Sequence, residues 1–384
     1  MYRKMNSLLA VTAFLLISFV GEAGEKTFVY VSNSVGGSIS IFEMEKNGKL
    51  ANVGEMEVAP SVMPMAISPD RRFLYASIRS QPYSVASYAI DSSTGQLDLL
   101  SIVPTLDSMV HISTDRTGRF LLGASYGGDI ITSSPIGPEG FAQAEPISIL
   151  RIGRHAHAIL ADPSNRFAYV TNLSNDQIVQ MLFDEDTGAL TLNKPATVAV
   201  RPEAGPRHFC FSPNNRFVFV LNELNGTVTT LALDADTGLL SERSSASVIK
   251  PGTDIVPGSA RAALGQAATA LATDADNRPV IWAADIQITP NGKFIYASER
   301  TTSTLACFAA DTLTGKLTYV GSVETEKQPR GFKIDPKGRF LICSGEKADH
   351  ISVYLINQDN GELTLLERYA TGKNPNWVEI VNFR

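Results

Sequence analysis

Gly205-Pro206-Arg207-His208-Phe209-Cys210-Phe211 and Phe217-Val218-Phe219-Val220-Leu221-Asn222-Glu223-Leu224 decide the fold of this 384-residue chain. Between them stands Ser212-Pro213-Asn214-Asn215-Arg216. Apolar residues alternate on both sides of a proline-and-asparagine turn, the pattern of a β-hairpin. The chain reversal brings Glu223 back to the end of the pair that carries Arg207 and His208. A guanidinium, an imidazole and a carboxylate are thus expected at one end of one hairpin.

The turn recurs. Lys26-Thr27-Phe28, Arg71-Arg72-Phe73, Gly118-Arg119-Phe120, Asn165-Arg166-Phe167, Asn215-Arg216-Phe217, Gly292-Lys293-Phe294 and Gly338-Arg339-Phe340 are spaced by 45, 47, 47, 50, 77 and 46 residues. Pro69, Pro163, Pro213, Pro290 and Pro336 open five of these turns, where a fixed φ and a missing donor do no harm to a ladder. A strand follows each Phe, as in Phe294-Ile295-Tyr296-Ala297-Ser298. A second follows it (Thr304 to Phe308), then an Asp-Gly turn (Asp311 to Gly315) and a third strand (Leu317 to Val320). With the strand before each turn, every unit holds four antiparallel strands in about 45 residues, the size of a propeller blade.

Seven units predict an all-β, seven-bladed β-propeller. The first unit lacks a leading strand, while Pro375-Asn376-Trp377-Val378-Glu379-Ile380-Val381 is a leading strand with no unit after it. The C-terminal strand is therefore expected to join the N-terminal ones and close the ring, which removes the free edge. The long interval places an insertion at about 244–278. Ala260 to Ala272 is alanine-rich enough for a helical turn or two, and Pro251, Gly252, Pro257 and Gly258 mark loop.

With 44% hydrophobic and 19% charged residues, the chain has ample material for a core. A net charge of -6 without a basic run argues against nucleic acid as a partner. Arg3 and Lys4 precede an uncharged run from Leu8 to Val20 and the small-residue site Gly21-Glu22-Ala23. Residues 1–23 thus read as a secretory signal, too short for a comfortable span, and 24–384 as a single propeller domain. Export to the periplasm or outside is expected, with no stable membrane insertion after cleavage. Cys210, Cys307 and Cys343 each lie in an apolar alternating run and read as reduced strand cysteines. No CxxC or HExxH occurs, so no metal or other cofactor is expected.

Equivalent positions form two columns. Ten residues before each Phe stand Met63, Val110, His157, Arg207, Ala284 and Arg330, with Asn376 supplied by the C-terminus. Six residues after it stand Ser34, Arg79, Tyr126, Leu173, Glu223, Arg300 and Glu346. Hairpin geometry puts both columns at one mouth of the central channel, with His111, His208 and Asp285 one residue further along. Four arginines at one mouth favour an anionic or oxygen-rich ligand, because guanidinium forks onto carboxylate and phosphate oxygens.

Gly205-Pro206-Arg207-His208, Asn222-Glu223-Leu224, Trp282-Ala283-Ala284-Asp285-Ile286, Gln328-Pro329-Arg330-Gly331 and His350-Ile351-Ser352-Val353-Tyr354 carry a family likeness. So do Val62 to Asp70 and His111 to Asp115. From about Lys26 to Asn382 the chain resembles the seven-bladed propeller lactonases, bacterial 6-phosphogluconolactonases among them. The resemblance implies metal-free hydrolysis of 6-phosphogluconolactone, a step of the pentose phosphate pathway of glucose metabolism. It also implies cleft residues at His157, Arg207, Glu223 and Arg300. Two features depart from it: the leader, and the insertion that separates Arg278 from Trp282.

Lactone hydrolysis needs an activated water, donors for the tetrahedral oxyanion and a proton for the leaving alkoxide. His157 is expected as general base with Glu223 orienting it or sharing the proton relay, and Arg207 with Arg300 as oxyanion donors. Arg330, Arg79, Asp285 and His208 are expected to bind substrate. No GxSxG elbow is present to suggest a serine nucleophile. The alternatives are an exported lactonase of an unphosphorylated sugar lactone, and a propeller that binds a ligand without chemistry.

Overall fold

The computed structural model describes residues 25–262 and 277–383, and in it the Pro206–Phe211 and Phe217–Asn222 strands form one antiparallel pair. They belong to one of seven four-stranded sheets. Numbered along the chain, blades 2 to 7 span Val62–Pro104, Met109–Arg151, Ala156–Ala199, Pro206–Ser247, Ala283–Glu324 and Pro329–Ala370. Blade 1 takes Pro375–Phe383 as its inner strand, followed by Lys26–Asn33, Ser38–Met44 and Leu50–Glu57. Phe28 pairs with Val381 and Ser32 with Trp377, so the two chain ends close the ring as expected. Among the described residues the sole helical turn is Leu173–Asn175.

The two repeated sequence signals meet each other across blades. The Phe that opens each second strand lies against the glycine of the next blade's outer turn. Phe28 faces Gly95, Phe73 faces Gly140, Phe120 faces Gly188, and Phe167 faces Gly238. Phe217 faces Gly315, Phe294 faces Gly361, and Phe340 of blade 7 faces Gly48 of blade 1. A Cβ on Gly48 would stand 2.5 Å from the Phe340 ring, and the φ of 90° is itself one that glycine tolerates. The tyrosines two residues after four of these phenylalanines add a bond: Tyr30, Tyr75, Tyr169 and Tyr296 donate to the carbonyls of Gly95, Gly140, Gly238 and Gly361 at 2.7–3.0 Å.

The core lies between blades. Phe340, Ile342, Ile351 and Val353 of blade 7 pack on Val29, Val31, Phe42, Val378 and Ile380 of blade 1. At about 1.5–3 kcal/mol per large apolar side chain buried, this face holds the ring shut together with the closing ladder. Cys307 and Cys343 are buried, Cys210 is half-buried, and all three are free.

The excursion between blades 5 and 6 starts after Ser247 rather than at Ser244, since Ser244–Ser247 still pair with Thr227–Thr230. The stretch 263–272 of the alanine-rich run and the leader at 1–23 lie outside the described residues. Among the described residues no helix is long and apolar enough to cross a membrane.

Candidate active site

The inner strand of every blade carries a β-bulge at one place. Pro206 pairs with Asn222 and Phe209 with Val220, which leaves Arg207 and His208 opposite Leu221 alone. Ala284 and Asp285 likewise face Ser298, and Met63 and Pro64 face Ser77. Val110, His157, Arg330 and Asn376 are the extra residues of their own ladders. A bulge breaks pairing and re-aims a side chain. The column that begins each leading strand is thus a ring of seven bulges. The second column closes onto it: Glu223 N donates to Gly205 O at 2.7 Å, and Arg300 N to Trp282 O at 3.0 Å. The loop before Arg207 is held by Asp176, whose carboxylate accepts the amides of Glu203 and Gly205 at 2.7 and 2.8 Å.

Glu223 is the centre of the charge network. Its Oε2 stands 2.6 Å from Arg207 Nε and 3.0 Å from Arg300 Nη2, and its Oε1 accepts Trp282 Nε1 at 3.2 Å. Burial pushes this carboxyl up, but Arg300 and Arg207 outweigh burial and hold it below its ordinary value. Among the described residues no hydrogen bond joins Glu223 to His157. The carboxylate expected to orient the base is instead committed to the two arginines. Arg207 Nη1 also donates to Ala284 O, and Arg300 donates to Trp282 O and Ala283 O, both at 3.1 Å. Both guanidinium planes are thereby fixed. Glu346 lies 3.5 Å from Arg330 Nη1 and 3.9 Å from Arg300 Nη1.

Arg79 reaches the same mouth from blade 2, with Nε on Ser108 Oγ at 2.9 Å and Nη1 3.2 Å from Met63 Sδ. Burial and the charge of Arg330 push it down to about 9, which leaves it a cation at neutral pH. Burial lowers Arg207 similarly, to about 10. Val110, Tyr126 and Leu173 of the same columns pack with Leu224 as an apolar cluster, so one side of the mouth is cationic and another apolar.

Three imidazoles stand next to one another. The His157 ring lies 5.2 Å from that of His208, and His208 5.5 Å from His111, each edge to face. Trp377 packs on both His111 and His208. Burial holds all three histidines well below their ordinary value, aided by Arg207. They are neutral at pH 7. Asp285 Oδ1 meets His208 Nδ1 at 2.8 Å while also accepting Ile286 N at 2.9 Å. Since that oxygen accepts, Nδ1 carries the proton and Nε2 keeps the lone pair. Phe332 N reaches the other oxygen at 3.2 Å, so Asp285 of blade 6 ties blades 5 and 7 together. His157 Nδ1 and His208 Nε2 are buried without a hydrogen-bond partner among the described residues. No group of three His, Cys, Asp or Glu among those residues converges as a metal ligand set.

All eight residues expected at the site gather at or just below one mouth, in two sets: Arg207, Glu223, Arg300 and Arg330 through ion pairs, His157, His208 and Asp285 through rings and one hydrogen bond. Arg79 stands apart, bound to Ser108 and Met63. Sequence columns passed over His155, which stacks on Tyr126 at 4.0 Å and 4°, and Trp282, which carries the Arg300 guanidinium 3.6 Å from its centroid. Neither occupies a column, so only its flanking motif pointed to Trp282.

The model of the family described as "Lactonase, 7-bladed beta-propeller" matches residues 28–380. The chain belongs to that family. Membership makes it an enzyme of the carboxylic ester hydrolase class. A 6-phosphogluconolactonase of Pectobacterium carotovorum is 38% identical over 354 residues, covering 92% of this chain and 98% of its own length. One of Serratia proteamaculans is 38% identical over 357 residues, covering 93% and 99%. Among solved structures, a putative 6-phosphogluconolactonase of Bacteroides uniformis is 25% identical with a TM-score of 0.78, over 93% of this lactonase and 99% of that chain. The periplasmic gluconolactonase of Pseudomonas aeruginosa shares the fold, with 20% identity and a TM-score of 0.80 over 93% and 99%.

Proposed function

We propose that this lactonase opens 6-phosphogluconolactone to 6-phosphogluconate, with His157 as general base and Arg207 and Arg300 as the oxyanion donors. The observation that carries this reading is a neutral, buried His157 at the mouth that also gathers the arginines. Relatives at 38% identity bear the name of that activity.

Water attacks the lactone carbonyl carbon as His157 takes its proton. The charge that develops on the carbonyl oxygen falls to Arg207 and Arg300, whose planes Glu223 and the backbone carbonyls already fix, so little reorganisation is needed. Collapse breaks the bond from the acyl carbon to the ring oxygen, and the imidazolium returns its proton to that oxygen as it becomes a hydroxyl. Arg330 and Arg79 hold the phosphate. The His208–Asp285 pair keeps a neutral, tautomer-fixed imidazole beside the base. Glu223 acts through the two arginines and not on His157.

The leader at 1–23 favours a second reading, an exported lactonase of an unphosphorylated sugar lactone. Freshly prepared phosphorylated and unphosphorylated gluconolactone, assayed with the purified protein and corrected for spontaneous hydrolysis, decides between them. Turnover of neither lactone would remove both readings.

A further inference from the structure

Arg261 belongs to the excursion and not to the sevenfold repeat, yet it reaches the mouth. Its guanidinium carbon stands 3.2 Å from the Trp282 ring centroid, against 3.6 Å for Arg300. Two planar groups that near one centroid take opposite faces, because on one face they would overlap. Trp282 is therefore sandwiched between a repeat arginine and an excursion arginine, a geometry that suits guanidinium and indole.

The backbone holds this approach on both sides. Val256 N donates to Pro279 O at 3.0 Å, Ile281 N to Val256 O at 2.8 Å, and Gly258 N to Leu224 O at 2.7 Å. A Cβ on Gly258 would stand 2.4 Å from Ile281 O, so only glycine admits that crossing. On the far side Tyr126 of blade 3 donates to Arg261 O at 2.8 Å. Residues 256–261 thus run along the mouth from Trp282 beside blade 6 to Tyr126 of blade 3.

The carboxylates nearest Arg261 have other partners. Glu223, Glu346 and Glu299 are the acidic groups whose charge it feels, together with Tyr126. Glu223 is held by Arg207 and Arg300, and Glu346 by Arg330 and Arg300. Glu299 accepts Trp282 N at 2.6 Å and Thr302 N at 2.6 Å. Among the described residues Arg261 forms no ion pair with any of the three.

We propose that Arg261 is a specificity-determining residue that binds the anionic substituent of the lactone at the outer edge of the mouth. This rests on the lactonase reading. The stack on Trp282 fixes the guanidinium plane while its N–H edge remains available for phosphate oxygens, which accept such a fork well. A neutral sugar lactone offers no such partner, so Arg261 adds to Arg330 and Arg79 in separating the two substrate classes, where Arg207 and Arg300 treat them alike.

The test is steady-state kinetics of the parent, Arg261→Ala and Arg261→Gln on 6-phosphogluconolactone and on gluconolactone. Loss of one charge-assisted contact is expected to raise KM for the phosphorylated lactone about tenfold or more, with kcat held within about twofold. KM for the neutral lactone is expected to stay within about twofold, since its contacts are untouched. The glutamine variant keeps a planar stacking group and carries the test should alanine fail to fold. Equal change, or no change, on both lactones overturns the proposal and leaves Arg261 a prop for Trp282. If the parent hydrolyses neither lactone, the lactonase reading falls separately. Calorimetric titration with 6-phosphogluconate then decides the residue: weaker binding by the variants supports the contact, and equal binding overturns it.

Discussion

Arg207 Nε lies 2.6 Å from Glu223 Oε2, joining the bulge and the strand end of one hairpin in blade 5. The same oxygen takes Arg300 from blade 6, and both arginines are 1% exposed. One carboxylate is therefore shared between two buried cations.

Glu223→Gln is expected to cost about 3 kcal/mol of stability, because removing one member of a buried charge network strands the others. Glu346→Gln is expected to cost less than about 1 kcal/mol, since its ion pairs are longer, at 3.5 and 3.9 Å, and its side chain is less buried. Chemical denaturation of the two variants measures the contrast. Equal losses would show that Glu223 is an ordinary rim carboxylate.

Gly48→Ala tests the contact that joins the last blade to the first. The new methyl meets the Phe340 ring and adds strain at positive φ, for an expected loss of about 2–4 kcal/mol. Gly252→Ala is the control: its φ of 83° carries the same strain, but nothing stands within 4 Å of its Cβ. It is expected to lose only about 1 kcal/mol. Matching melting temperatures for the two variants would mean that the Phe–glycine contact contributes nothing to closure.

The blades were legible because their signals repeat. Phe28 through Phe340 and the Asp-Gly turns recur at a steady period broken by one insertion, and the unpaired strand at Pro375 announced closure. That Phe28 meets Gly95 was not legible, since a period does not say which neighbour a residue touches. The columns located the mouth, but a one-residue bulge changes no spacing, so the reason His157 and Arg330 turn inward was hidden. His208 and Asp285 lie 77 residues apart on different blades, and only the ring brings them to 2.8 Å. That Glu223 pairs with Arg207 and Arg300 was hidden too, because a column gives position without direction. Arg261 escaped because the excursion breaks the period that made everything else readable.

Stability should fall steeply below about pH 6.5. Burial holds His111, His157 and His208 well below their ordinary value, so the folded chain keeps them neutral while the unfolded chain takes up protons. The unfolded state then binds more protons, and stability drops as pH falls from about 6.5 toward the depressed folded values. Each histidine contributes about 1.4 kcal/mol per pH unit in that window. His111 faces His208, Asp285, Arg207 and Lys333. Burial lowers the half-buried His155 as well, so His111→Asn should flatten the slope by about a quarter to a third, read from denaturation at pH 7.5 and 5.5. An unchanged slope would mean that His111 titrates freely in the fold.

Protein purified from an exporting bacterial host is expected to begin at Gly24. Mass spectrometry of the intact chain reads this directly. A cytosolic product that retains Met1 would remove the argument for an unphosphorylated substrate.

The rim residues should divide into those that act on the reacting carbonyl and those that only hold substrate. His157→Ala is expected to lower kcat by about 10²–10⁴-fold with little change in KM, because a general base acts in the transition state. Arg207→Ala should also lower kcat, since an oxyanion donor works where charge develops. It also leaves Glu223 with one partner fewer, so its melting temperature must be measured beside its rate. Arg330→Ala should mostly raise KM, because a phosphate is equally anionic in ground and transition states. The contrast between the two arginines is the informative part. Arg207 is held by Glu223 at 2.6 Å and by Ala284 O, whereas Arg330 meets Glu346 at 3.5 Å. A merely structural rim would lower melting temperatures without separating kcat from KM. If all three variants, folded, kept parental kcat and KM on every lactone the parent opens, the chemistry would lie elsewhere in the ring.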